Sequence, residues 1–444
     1  MRAGSDAKAG GDSTSTETGK GADLPVKLRF TAAQEALRLR VREFAESEVA
    51  RAAKAMEEKD VFPRALVSAM GRRGLLGLPI AAEWGGSGCD MIGYMLAIEE
   101  ISRVSAAAGV ILAVHTSVGT LPIVYHGTEE QRSRCLPLLA SGAWLGAFAL
   151  TEPHAGSDAS TIRTAAVRRG GDYFLTGTKV FITNAGEADQ YVLFAVVQDD
   201  GASAASSAGA SLAVADKERG GEHGGAEGGS AASQRRRDGE GGAGRTGGGI
   251  TAFLVRADTP GLTVGRKEKK MGLRGSNTCE LILEGVQVPA AQRLGKEGEG
   301  FRIAKSALNG GRIGIGAQAL GIARAALALA ERELPRVPRR QRARAAAELL
   351  DLAAGTEAAA LLVYRAAELL QRGRPCTKEA SMAKMFASDT AVRVATRALQ
   401  LCGPEALTEE HPAERLFRDA KVTQIYEGTN EIHRIVISGE LLKG

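Results

Sequence analysis

Tyr426-Glu-Gly-Thr-Asn-Glu-Ile-His-Arg434 places two carboxylates around a glycine, just after the apolar Val422 and Ile425. A carboxylate set in an apolar pocket holds its proton more tightly and becomes a stronger base. Glu427 is therefore a candidate general base, although a glutamate picked at random sits solvated on the surface. Phe148-Ala-Leu-Thr-Glu-Pro-His-Ala-Gly-Ser-Asp158 collects the hydroxyls of Thr151 and Ser157 near Gly156. Small residues let a ligand approach the backbone, and hydroxyls add directed hydrogen bonds; an ordinary turn uses the same residues. In Lys179-Val-Phe-Ile-Thr-Asn184, strand alternation predicts Phe181 and Thr183 on one face. Together they could cover a planar cofactor, or they could be a core ring and a satisfied hydroxyl.

Other chemistry is disfavoured. Gly311-Arg-Ile-Gly314-Ile-Gly316 is glycine-rich, but no strand precedes it and it lies in a helical run, so it reads as close helix packing rather than a dinucleotide loop. The cysteines (Cys89, Cys135, Cys279, Cys376, Cys402) are scattered, and the six histidines show no metal-ligand spacing. No metal site is expected, and the thiols suggest a reducing compartment. The net charge of +5 is concentrated in Arg235 to Arg237 and Arg332 to Arg344. Neither run is interleaved with aromatics, which argues for solvated surface and against nucleic-acid binding. No uninterrupted apolar run reaches the ~18 residues of a membrane span.

These candidates must be positioned by several domains, because 444 residues exceed one domain of ordinary size. Residues 1–23 are Gly/Ser/Thr-rich and contain the acids Asp6, Asp12, Glu17 and Asp23, and read as a disordered tail that is neither secretory signal nor transit peptide. Thr31-Ala-Ala-Gln34 predicts a capping box, followed by apolar residues at helical spacing: Leu37, Val41, Phe44, Ala45 and Val49. Helices continue to about Ala147. From Phe148 the pattern turns to short β-branched and aromatic runs, Tyr173–Leu175, Val180–Thr183, Tyr191–Phe194, Ile250–Val255 and Leu281–Leu283. Residues 201–249 are Gly, Ala, Ser and charges, too poor in large apolar groups to offset their ordering entropy, and read as a disordered insert between strands. Helices return after Gly300: Ile303–Leu334, Ala343–Leu370, Lys378–Leu401 and Ala413 onward. The expected fold is α+β multidomain: an N-terminal all-α domain (24–147), a middle β-barrel or sandwich (148–298) and a C-terminal four-helix bundle (299–444).

Taken in order and at these intervals, the segments resemble the acyl-CoA dehydrogenase family, most closely its short-chain, butyryl-CoA-type members. The resemblance runs from about Leu24 to Leu442 outside the insert. It is carried by Glu99-Glu-Ile-Ser102, Phe148-Ala-Leu-Thr-Glu-Pro153, Gly156-Ser-Asp158, Asn184, Met271-Gly-Leu-Arg-Gly-Ser276, Arg418-Asp-Ala420 and Tyr426-Glu-Gly-Thr429. It implies a cytoplasmic homotetramer that uses FAD to convert a short straight-chain acyl-CoA to the trans-2-enoyl-CoA and passes electrons to an electron-transferring flavoprotein. Glu427 would take the α-proton while the β-hydrogen leaves as hydride, and its backbone N–H would polarise the thioester carbonyl. Thr151 would bond the pyrimidine edge of the flavin, Thr183 its N5 atom, and Phe181 would stand where the family has a tryptophan. Phe148, Leu150, Ile182, Thr429, Asn430 and Glu431 would complete the cofactor contacts. Ser157, Asn309, Arg312 and Gly428 would meet the substrate, Ser157 touching both.

In the isovaleryl and long-chain branches the base precedes the arginine matching Arg312; here that position is Gly311, leaving Glu427 as the family-compatible base. Ser105-Ala-Ala-Ala-Gly109 lacks the arginine of glutaryl-CoA enzymes. Two segments depart from the family. Gln400-Leu-Cys-Gly-Pro-Glu-Ala406 replaces a Gly-Gly-x-Gly-Tyr turn, and Glu333-Leu-Pro-Arg-Val-Pro-Arg-Arg-Gln-Arg342 replaces a longer stretch with Phe-Gly-x-Pro. Both family segments serve the ADP half of FAD, so weakened retention is expected, offset by the arginines from 336 to 344. Two rival readings follow: a flavin-poor acyl-CoA-binding or assembly subunit, and an acyl-CoA oxidase.

Overall fold

A computed structural model describes residues 29–199 and 248–443. The expected tail and nearly all of the expected insert lie outside these residues. Gly249 does not belong to an insert, since it opens a strand.

Seven helices come first. α1 (Ala32–Phe44) passes through a π-helical turn (Ala45–Val49) into α2 (Ala50–Lys59). α3 (Arg64–Arg72), α4 (Met91–Val104), α5 (Ala106–Ser117), α6 (Leu121–His126) and α7 (Glu129–Ser141) follow. The sequence explains their starts. Thr31 and Gln34 form the capping box, Thr128 and Gln131 form a second, and Asp90 and Ser105 accept from backbone N–H groups of α4 and α5. Every residue of α5 is buried, as expected for a helix apolar on all sides.

Eight strands form one sheet: β1 (Gly146–Ala149), β2 (Ala165–Arg169), β3 (Asp172–Thr183), β4 (Gln190–Gln198), β5 (Gly249–Arg256), β6 (Leu262–Lys267), β7 (Thr278–Pro289) and β8 (Arg293–Leu294). Their order is β6-β7-β3-β2-β4-β5-β8, with β1 parallel to β4. The runs Tyr173–Leu175 and Val180–Thr183 belong to one long strand, β3. Its pairing with β7 slips between Lys179 and Ile182, forming a bulge at Phe181.

The C-terminal helices are α8 (Gly300–Glu333), α9 (Arg339–Gln371), α10 (Thr377–Cys402), α11 (Pro412–Val422) and α12 (Asn430–Leu441). The stretch expected as one helix from Ala413 is two, broken at Thr423–Thr429. Among the described residues two helical stretches, Ala106–His126 and Gly300–Arg336, are long and apolar enough to cross a membrane, a feature an uninterrupted-run count misses. Their windows are 94% and 78% buried inside the fold, so they are core helices.

One hydrophobic core joins both helical regions: Met95, Ile98 and Ile111 pack with Ile313, Leu320, Val363 and Val394. Polar ties reinforce it. Glu99 accepts from Tyr364 and forms an ion pair with Arg324, and Glu100 accepts from Arg38, Arg42 and Arg103. The Met271–Ser276 loop is pinned on α11, where Asp419 accepts from Leu273 N at 2.6 Å and Arg418 donates to Met271 O at 2.9 Å. These contacts give physical roles to three of the segments that carry the resemblance, those at Glu99, Met271 and Arg418.

Candidate active site

The Thr423–Thr429 break exists to hold a turn. Glu427 (φ 53°) and Gly428 (φ 92°) are consecutive left-handed residues. For a glutamate this conformation costs about 1–2 kcal/mol, so the surroundings must impose it. Thr429 then caps α12 by accepting from Ile432 N. Asn430 is tied to α10, donating to Asp389 at 2.7 Å and to Ser388 at 2.9 Å. Gln424 also donates to Asp389, at 2.7 Å. Tyr426 reaches inward to hydrogen-bond Gln318 of α8.

The carboxylate of Glu427 lies over α8. A Cβ built on Gly311 would sit 2.5 Å from Glu427 Oε2 and 3.2 Å from Oε1. The absence of a side chain at 311 is thus what makes room for the acid. The residue keeps some accessible surface, but Oε2 is sealed and has no hydrogen-bond partner. Burial pushes the carboxyl up to about 7, against the opposing charges of Arg312 and Lys384. Among the described residues no backbone carbonyl accepts the Glu427 N–H. An acid poised near neutrality with its backbone donor free can take a proton from one atom and polarise its neighbour.

Arg312 sits one residue beyond Gly311, reaching Asn309 Oδ1 and Ser381 Oγ at 3.4 Å each, with its Nε sealed and unpartnered. A buried cation with spare donors suits an anionic or carbonyl-bearing ligand.

A second cluster sits on the sheet. Phe181 holds its ring 64% exposed on a left-handed residue (φ 56°). Val180 N donates to Thr151 O at 3.0 Å, which joins the Phe148–Thr151 segment to the bulge. Phe148, Thr151 and Thr183 are half-buried, and Ser157 and Glu431 exposed. Leu150 and Ile182 turn their side chains into hydrophobic cores, and Asn430 spends its side chain on α10. For these three, only backbone groups remain for a ligand.

Helix α5 links the clusters. Asn184 donates to Ile111 O and Gly146 O at 3.3 Å each, while Gln318 donates to Ala106 O at 2.8 Å. An outward-facing ring on a bulge, with hydroxyls on either side, fits a planar aromatic cofactor such as a flavin.

Three family models match the sequence: the N-terminal, middle and C-terminal domains of acyl-CoA dehydrogenase, over residues 31–143, 147–231 and 298–442. The chain belongs to the acyl-CoA dehydrogenase family. It is 50% identical to an acyl-CoA dehydrogenase of Bacillus subtilis, over 94% of this chain and 100% of that one. The solved butyryl-CoA dehydrogenase of Megasphaera elsdenii is 38% identical with a TM-score of 0.81, covering 94% of this chain and all of that one. A structure described as an electron transferring flavoprotein of Acidaminococcus fermentans matches at 39% identity and a TM-score of 0.80, with the same coverage. The resemblance to short-chain members, the three-part fold and the oxidoreductase class read from the sequence are therefore correct.

Sequence reasoning overlooked several groups. Lys384, inside α10, donates to Gly428 O at 2.7 Å and to Asn430 Oδ1 at 3.0 Å. His433 is fully buried beside Gly428 with both ring nitrogens unpartnered; burial holds it down to about 3. Glu152 and Lys179 form a buried pair at 2.8 Å, and Lys179 also donates to Leu150 O at 3.1 Å. A signal for Lys384 was present: it shares its helix face with Ala380, Ala387 and Ala391, all buried. At the segment expected to serve the ADP half of the cofactor, α10 ends at Cys402, Gly403 turns with φ 79°, and Pro404–Leu407 forms a 3-10 turn.

Proposed function

We propose that this enzyme carries out FAD-dependent α,β-dehydrogenation of a short, straight-chain acyl-CoA, with Glu427 as the base. The observation that carries the reading is the Glu427 carboxyl, buried, poised at about 7 and seated over a glycine. Thr151, Phe181 and Thr183 would hold the flavin ring. Phe148, Ser157, Thr429, Glu431 and the backbone of Leu150, Ile182 and Asn430 would complete the contacts. Bound there, the flavin supplies a two-electron acceptor for the hydride leaving the β-carbon. The chain does the rest. Arg312, Asn309, Gly428 and Ser157 orient the thioester, which makes the transfer unimolecular. The free Glu427 N–H polarises the thioester carbonyl, raising the acidity of the α-carbon. The α C–H bond then breaks, and its proton moves onto the Glu427 carboxylate. Gly311 supports Glu427 over the alternative base position, because a larger residue there would occupy its space. A homotetramer, a cytoplasmic location and an electron-transferring flavoprotein as acceptor belong to the same reading; the likeness to the Acidaminococcus structure supports the acceptor.

Anaerobic titration of the purified protein with butyryl-CoA tests the proposal. Visible flavin absorbance should bleach in wild type and persist in Glu427→Gln. Bleaching retained in the variant would remove Glu427 from its role, and no bleaching in a flavin-loaded wild type would exclude the substrate class.

A further inference from the structure

Lys384 is completely buried in α10. Placing an ammonium inside a protein is costly unless it is both hydrogen-bonded and electrically compensated. Its hydrogen bonds go to neutral acceptors, the Gly428 carbonyl and the Asn430 side chain. Gly428 is the second of the two left-handed residues, and Asn430 is the first residue of α12. Lys384 thus grips the turn that carries Glu427 on its C-terminal side.

Compensation of its charge comes from elsewhere. Burial pulls Lys384 down to about 7, and Glu427 acts against that shift ahead of Asp389. Asp389 is shared with Asn430, Gln424 and Arg434. The other groups around the carboxylate are few. From α8 comes Arg312; from α12, neutral His433 and the exposed Glu431; from α4, Tyr94, whose hydroxyl meets Ser117 at 3.0 Å. Tyr426 donates away from the site, to Gln318. A lysine whose bonds hold the turn and whose charge answers the acid on that turn can do two things at once.

We propose that Lys384 is a positioning residue for the base, fixing the left-handed Glu427–Gly428 turn through the Gly428 carbonyl and supplying buried positive charge that keeps the Glu427 carboxylate ionised. The proposal rests on the reading of Glu427 as the base. With the ammonium present, proton affinity at Glu427 is lowered and the carboxylate is available near neutral pH. Without it, only Arg312 opposes burial, and the acid stays protonated to higher pH. A neutral carboxyl cannot accept the α-proton, so activity appears only at higher pH.

The test compares wild-type holoenzyme with Lys384→Met and Lys384→Arg, using pH profiles of kcat for butyryl-CoA. Infrared titration of the Glu427 carboxyl, isolated by subtracting Glu427→Gln spectra, runs in parallel. In Lys384→Met the acidic limb and the carboxyl midpoint should both move up by about one pH unit, about a fivefold loss near pH 7 that approaches tenfold at lower pH and is regained on the alkaline side. Lys384→Arg should keep both near the wild-type position. If Lys384→Met does not fold, Lys384→Gln, which keeps a donor to Gly428 without the charge, takes its place. A loss of equal size at every pH, with the midpoint unmoved, would overturn the proposal in favour of a purely structural lysine. Should Glu427→Gln remain active, the base reading fails, while the infrared midpoint still decides what Lys384 does to the carboxyl.

Discussion

Two glutamate–lysine couples among the described residues, Glu152 with Lys179 and Glu427 with Lys384, are tuned in opposite directions. On the sheet, Glu152 accepts from Lys179 at 2.8 Å, from Thr164 N at 2.9 Å and from Arg163 N at 2.6 Å. Burial pushes this acid up, but the Lys179 charge and these donors outweigh it, and its proton affinity falls below the ordinary value. In the helical region Glu427 has an unpartnered Oε2, and its lysine spends its hydrogen bonds on the next residues along the chain. There burial wins, and the acid rises to about 7. The same two residue types make a clamp when donors saturate the carboxylate and an acid poised near neutrality when they do not.

The comparison breaks most visibly at Lys179. Replacing it with Met leaves Glu152 buried without its cation, which costs about 3–5 kcal/mol when one partner of a buried pair is removed. Equilibrium denaturation at neutral pH should show that loss. The Thr151 segment should loosen too, because Lys179 also holds the Leu150 carbonyl. A loss under about 1 kcal/mol would mean that the backbone donors alone hold Glu152, and the clamp would not depend on charge.

At the other couple the expected effect falls on rate. In Gly311→Ala the new methyl would meet the Glu427 carboxylate at 2.5 Å. The obstructing atoms are the end of a flexible side chain, so the carboxylate moves and the helix stays. A displacement of about 1 Å at a reacting group costs on the order of 10²-fold. We expect kcat to fall by about that factor, with the denaturation midpoint close to wild type. A variant with full activity would show that Glu427 works from another position.

Much of the fold could be read from the residues but little of this contrast, and the limits of that reading are physical. The Thr31 capping box, the core strands and the Glu427 segment were legible because each depends on residues near one another in sequence. The helix break at Thr423 was missed, since Ala413 to Leu441 keeps helical composition throughout; the turn is imposed by α10 through Lys384, Ser388 and Asp389. The clamp at Glu152 was missed for the same reason, its partner being 27 positions away. Strand alternation left Phe181 open between a core ring and a cofactor cover, and its left-handed conformation was not legible at all. Strand alternation carries no information about where pairing slips.

That conformation gives the smallest and most diagnostic effect. Phe181 holds a left-handed backbone, which costs an L-residue about 1–2 kcal/mol, and 64% of the residue is exposed. Little apolar burial repays that strain in the ligand-free protein. Glycine adopts the conformation freely, at an entropic cost of about 0.5–1 kcal/mol. Phe181→Gly should therefore stabilise ligand-free protein by up to about 1 kcal/mol in equilibrium denaturation, while weakening flavin retention on gel filtration. Strain kept where it does not serve the fold marks a residue selected for what it meets. A variant that loses stability without flavin would instead make the ring a packing element, and the bulge at β3 a feature of the sheet alone.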